Sequence, residues 1–224
     1  PLNAALATHQ NNKVKCMNTI DREAFGRDPF GYGAGGVFEW QMIEAMHSGG
    51  DFDPFKVPEN KHLKSPILWL TQAEALSQAA HTLFKNEPEF ETMPVLVRSI
   101  CDRQYCGVGL MLLGYSLEIV LKAMLIMKHG VDGYTEIEKK HRHHRLHDLV
   151  NIIPNMDKRE RAVLRGLTHF VYWAGRYPDP GTDKGEETLN IFELSEKYKI
   201  SAHMLFTVSA KVMSYAHKVS EETT

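Results

Sequence analysis

An all-α fold is predicted by three features of this 224-residue sequence. The run at 104–129, QYCGVGLMLLGYSLEIVLKAMLIMKH, places apolar residues on nearly every side of a helical wheel. Apolar stripes with a 3.6-residue period recur on both sides of that run. No stretch alternates apolar and polar at period two, as a half-buried strand would.

A helix apolar all round is either central in a core or crosses a membrane. The run is long enough to span, since about 20 mostly apolar residues suffice. Glu118 and Lys122 argue for the core. They stand four apart in the favourable Glu-before-Lys order, and each is costly at a bilayer centre. The prediction is therefore a buried central helix over about 104–129 and no membrane partner. Lys128, His129 and Gly130 supply the basic last turn and the glycine that end such a helix.

Residues 1–64 read differently from the rest. The opening NAALATHQNNKVK is polar and short of large side chains. FGRDPFGYGAGGVFEW then interleaves five glycines with Phe25, Phe30, Tyr32, Phe38 and Trp40. Its GYGAGG looks like a phosphate-cradling loop, but no strand precedes it, so an aromatic-pinned loop is the expectation. A short helix over 38–46, ended by Gly49 and Gly50, and an extended strap, DFDPFKVPENKHLK, complete this irregular segment.

The bundle is predicted over 65–219, with 220–224 as a tail. Ser65 and Pro66 open its first helix, Ser as N-cap and Pro at a position whose N–H has no partner to lose. Ile67, Leu70, Ala73, Leu76, Ala80, Leu83 and Phe84 carry its stripe as far as Lys85. Pro88 and Pro94 bracket a loop, after which the central helix starts near Val95. Gly107, Gly109 and Gly114 each weaken that helix by about 1 kcal/mol relative to Ala, so close approach by a neighbouring helix is expected there. A polar connection after Gly130 leads to a short third helix over 143–153, with Leu146, Leu149, Val150 and Ile153 inward. Asp157 is the N-cap of a fourth helix reaching 173 or 174, which GRYP at 175–178 stops. A polar loop over 179–190 precedes a last pair over 191–198 and 202–219.

Hydrophobic and charged contents of 43% and 24% are those of a soluble globular protein. The net charge of −2 gives no global attraction to nucleic acid, so anion binding must come from a local patch. Three cysteines, Cys16, Cys101 and Cys106, form no even framework and fit a reducing compartment. PLNAALATHQ has neither part of a secretory leader. A cytoplasmic location is expected.

That patch is KKHRHHRLHD at 139–148. His143 and His147 stand one turn apart, as a metal site would need, but no third ligand is in view, and neither a metal nor a cofactor is expected. A basic cluster at the start of a helix also suits phosphate. The third reading is a solvated basic loop in which Leu146 and His147 only dock the short helix.

The order of GYSLEIVLKAMLIMKHG, then HRLHDL, then a helix ending in GRYP resembles the HEPN superfamily of small α-helical domains over residues 65–219. The most specific parts are Leu117-Glu118-x-x-Leu121-Lys122-Ala123, His147-x-Leu149 and Arg176-Tyr177-Pro178. The resemblance implies a helical bundle that is either a metal-independent ribonuclease or a non-catalytic binding and dimerisation module. Catalytic members carry an Arg, usually a polar residue next, and a His a few positions on, which Arg142 and His147 match. Arg142 would then hold the scissile phosphate. His147 would move a proton to or from ribose oxygens, and RNA would be the substrate because DNA lacks the 2′-hydroxyl. In such members the motifs of two protomers meet across a dimer interface.

Here the motif sits on the short third helix, where non-catalytic relatives have a structural His-x-Leu. Arg165 and His169 on the fourth helix are one residue too close. The expected function is therefore a non-catalytic interaction and dimerisation module binding RNA or nucleotide phosphates through 139–147. The ligand-binding residues would be Lys140, His143, His144, Arg145, Arg176 and Tyr177. The alternative is a metal-independent endoribonuclease, a toxin or defence effector, using Arg142, His147 and Glu118. Expected partners are a second copy of the chain, RNA or a nucleotide, or another protein.

A buried Glu118 must be paired. Lys122 is its local partner, and His147 or Arg176 the long-range one. The expectation is a hydrogen bond from His147, either as a strut or as the orienter of a catalytic His. Arg176 and Tyr177 either bind an anion or lock the chain turn.

Overall fold

A computed structural model describes residues 20–53 and 55–223. Cys16 and the polar opening lie outside the described residues. The chain divides between residues 62 and 63 into two compact units. Among the described residues there is no strand.

In the first unit, the expected glycine-rich loop is helical. Helices α1 (Arg22–Arg27), α2 (Pro29–Ala34) and α3 (Gly36–Ser48) follow one another closely. The Asp21 side chain accepts from the N–H groups of Glu23 and Ala24 at 3.0 and 3.2 Å. Asp28 caps α2 by accepting from Gly31 N at 2.9 Å, with Pro29 preset at the first position. Two good starts thus outweigh the cost of glycine in the interior. Gly49, at φ 70°, ends α3 in the left-handed region where glycine is at ease. The strap ends in a single turn, α4 (Asn60–Leu63).

The second unit is a helical bundle. Helix α5 (Pro66–Lys85) follows the predicted stripe from Leu70 onward, burying Ala73 and Ala80, while Ile67, expected on the same face, is exposed. Ser65 stands at its N-cap, yet the hydroxyl makes no capping hydrogen bond. The central helix α6 runs Val95–His141 with a break at Gly130 (φ 70°, ψ 171°). The helix resumes where a polar connection was expected. The reason is a second stripe: Tyr134 is 2% exposed and its ring meets Trp69 edge-on at 6.3 Å, while Val131 and Ile137 pack on the core. A Lys64–Glu138 ion pair at 3.0 Å secures the same segment.

Leu117, Leu121 and Met124 on α6 are wholly buried, against Leu146, Val150, Leu164, Val171 and Val212. By length and hydropathy α6 could cross a membrane, but the larger part of its most apolar stretch is buried inside the bundle. Two of the three glycines, Gly109 and Gly114, sit where a neighbour comes closer than a side chain allows, while at Gly107 the contact is an ordinary one. A Cβ on Gly109 would meet the Phe84 ring at 2.6 Å, and one on Gly114 would meet Val171 Cγ2 at 2.4 Å. Gly107 faces the Ala174 carbonyl. Ser116 donates to Ala73 O at 2.8 Å and fixes α5 against α6.

The third helix is shorter than predicted: one turn, α7 (Leu146–Leu149), then a 3-10 turn (Val150–Ile152). Helix α8 (Lys158–His169) begins with the expected Asp157 cap, completed to a capping box by Glu160. It continues as a π-helical turn (Phe170–Ala174) up to Gly175. Helix α9 (Glu187–Tyr198) starts inside the expected loop, and α10 (Ala202–Thr223) runs through the residues assigned to a tail.

Candidate functional site

The basic cluster straddles the end of α6. Lys139, Lys140 and His141 form its last turn, and Arg142 leaves the helix. Cations belong there, because the carbonyl end of a helix is its negative pole. Lys139, Lys140, Arg142 and Arg145 are exposed. Arg142 lies 3.8 Å from Glu138, and Arg145 Nε is 2.7 Å from Asp148 Oδ2.

The cluster thus closes one helix and leads into the next, and α7 does not supply the expected phosphate cradle. Helix α7 is one turn, and most of its first N–H groups are engaged. Leu146 N donates to Thr168 Oγ1 at 3.1 Å, and Asp148 N and Leu149 N donate to Arg145 O. Any anion must be held by side chains.

Beneath the cluster lies a buried knot. Glu118, with its side chain 5% exposed, accepts from Lys122 Nζ at 2.7 Å. His144 Nδ1 lies 2.9 and 3.2 Å from the two Glu118 oxygens. The Tyr115 ring meets the imidazole edge-on at 5.8 Å. The long-range partner of Glu118 is thus His144, not His147. With Leu146 buried in the core, His147 faces α8: Nδ1 is 3.5 Å from Thr168 Oγ1 and Nε2 is 3.7 Å from Asp148. His143 Nδ1 accepts from Arg145 N at 3.1 Å.

Arg176 and Tyr177 are elsewhere. Arg176 donates to Tyr172 O and stacks over the Tyr177 ring at 5.5 Å, so it is not a partner of Glu118. Gly175 packs on Gly107 and Met111, and Met111 precedes Glu118 by seven residues, about 10 Å along the helix. These contacts are those of a chain lock. Among the described residues no three His, Cys, Asp or Glu side chains gather as a metal site needs.

Burial lowers the pKa of His141, His143 and His147 from the usual value. Nearby cations add to this, Lys140 at His141 and Arg145 at His143, while Asp148 opposes it at His143 and His147. The lowering favours the neutral imidazoles, so the permanent charge of the cluster is that of its lysines and arginines. His169 on α8 is likewise lowered by burial, against Glu187.

The sign of the linkage follows. Well above the ordinary imidazole value of about 6.5 these histidines are mainly neutral whether folded or unfolded. Below it the unfolded chain takes up protons first, so stability is lost as pH falls toward the folded values. The urea midpoint of the second unit is expected to drop between pH 7.5 and 5.5, and His169→Gln to make that drop shallower. A midpoint that is flat or rises on acidification would contradict this.

The sequence missed Thr168, which receives the start of α7, and the choice of His144 among neighbouring histidines. The one available signal was that a buried carboxylate needs a partner. No protein-family model matches the chain, and no curated protein or solved structure matches it either.

Proposed function

We propose that the chain is a HEPN-like helical interaction module that binds RNA or nucleotide phosphates on the rim formed by Lys139, Lys140, Arg142 and Arg145. The observation that carries this reading is the Glu118–His144 pair. It anchors the link between α6 and α7 from below, so four cations within seven positions are presented on a fixed support. Ordering them beforehand lowers the entropic cost of gripping a phosphate chain.

Titration of a labelled single-stranded RNA, followed by anisotropy, tests it. Binding is expected to weaken steeply with salt. Lys139→Glu with Lys140→Glu should lower affinity at least about tenfold and flatten the slope of log K against log salt by about 1.4, roughly 0.7 per lost phosphate contact. Absence of saturable binding, or an unchanged slope in the double variant, would sink the reading.

The ribonuclease alternative has one observation in its favour: burial lowers the pKa of His147, which favours the neutral form that a general base needs. Glu118 would then act through His144 rather than through His147. Cleavage of RNA in EDTA that His147→Ala abolishes, in a protein that still folds, would establish that reading instead.

A further inference from the structure

At the other end of α6 from the basic rim lies a groove of about 880 Å³, bounded by the first turns of α6, the end of α8 and its π-helical turn, and the α9–α10 corner. That is the size of pocket that encloses a small organic ligand. Its walls are mainly apolar, with Phe84, Leu110, Phe170, Ile191 and Phe206 among them. The rim leaves apolar surface in solvent: Phe192 is 71% exposed and Ile100 51%.

Two polar features stand out against those walls. No Asp or Glu side chain is among the residues lining the groove, and Arg103 is the one permanent charge among them. Arg103 is exposed, and among the described residues it has neither an ion pair nor a hydrogen bond. Trp173, also in the wall, is 8% exposed, and its indole Nε1–H is buried without a hydrogen-bond partner.

We infer that the groove binds an amphiphilic monoanion: an elongated apolar body along the aromatic walls, with one carboxylate head at Arg103. A single unpaired cation beside apolar walls free of acids complements one anionic head on a hydrocarbon body. An amphipathic protein helix, with several charges along its polar face, fits that arrangement less well. The site shares no residue with the phosphate-binding rim, and the inference does not rest on that reading.

Calorimetry on the full chain with dodecanoate below its micellar concentration tests it, with dodecanol as the uncharged comparison. One saturable site per chain is expected. Arg103→Gln should weaken dodecanoate about tenfold, the worth of a charge-assisted hydrogen bond, and leave dodecanol unchanged. Ser195→Phe, which fills the groove from α9, should abolish binding of both. If that variant fails to melt like the parent, Ala202→Phe does the same from α10. No saturable heat with dodecanoate would overturn the inference, as would equal binding by the Arg103→Gln variant. So would a dimer by sedimentation that excludes dodecanoate, which would assign the groove to a second copy.

Discussion

Replacing Glu118 with alanine is expected to destabilise the second unit by about 3–5 kcal/mol, the usual cost of removing one partner from a buried ion pair. Lys122 is the reason. Its side chain is 13% exposed and its ammonium is held by Glu118, so deletion of the carboxylate leaves a charge with neither partner nor free access to water. His144, 40% exposed at its side chain, recovers water more easily and adds less. Glu118→Gln keeps the shape and one acceptor, and is expected to cost less than alanine while still unpairing the lysine. The pair Glu118→Leu with Lys122→Met removes both charges at similar volume and should recover most of the loss. Urea unfolding of the three variants gives the answer. A midpoint for Glu118→Ala within about 0.5 kcal/mol of the parent would mean that the knot holds nothing together.

The second large effect concerns Gly175. Its backbone (φ −87°, ψ −7°) suits any residue, so alanine there meets no conformational penalty. The obstacle is steric. A Cβ would lie 2.4 Å from Met111 Cβ and 3.0 Å from the carbonyl oxygens of Gly107 and Phe170. Backbone cannot swing aside as a side-chain tip can, so the π-helical turn must move off α6. Gly175→Ala is expected to cost about 1–3 kcal/mol or more, as overpacking does. Gly185→Ala, where a Cβ meets nothing within 4 Å, should stay within about 0.5 kcal/mol, as exposed substitutions do. Thermal melts of the two proteins compare them directly. Equal melting temperatures would show that the turn yields without cost.

Much of the second unit was legible because helix formation is signalled locally. The Asp157 cap, most of the α5 stripe and the close neighbours of Gly109 and Gly114 are all short-range patterns. Misreadings came where two local signals competed. At 29–34 the glycines suggested a loop, but Asp28 and Pro29 started a helix. After Gly130 the polar residues suggested a connection, but Val131, Tyr134 and Ile137 share one face and the helix resumes.

The sequence alone determined that this chain is all-α, that 104–129 lies inside the second unit, and that a carboxylate there must have a partner. Only the tertiary structure decided which histidine that partner is. Burial of Leu146 turns His147 toward α8 and leaves His144 over Glu118. One position along a connector changes the direction of a side chain, and that direction is set by where two packed helices stand. No periodicity within 139–148 contains that information.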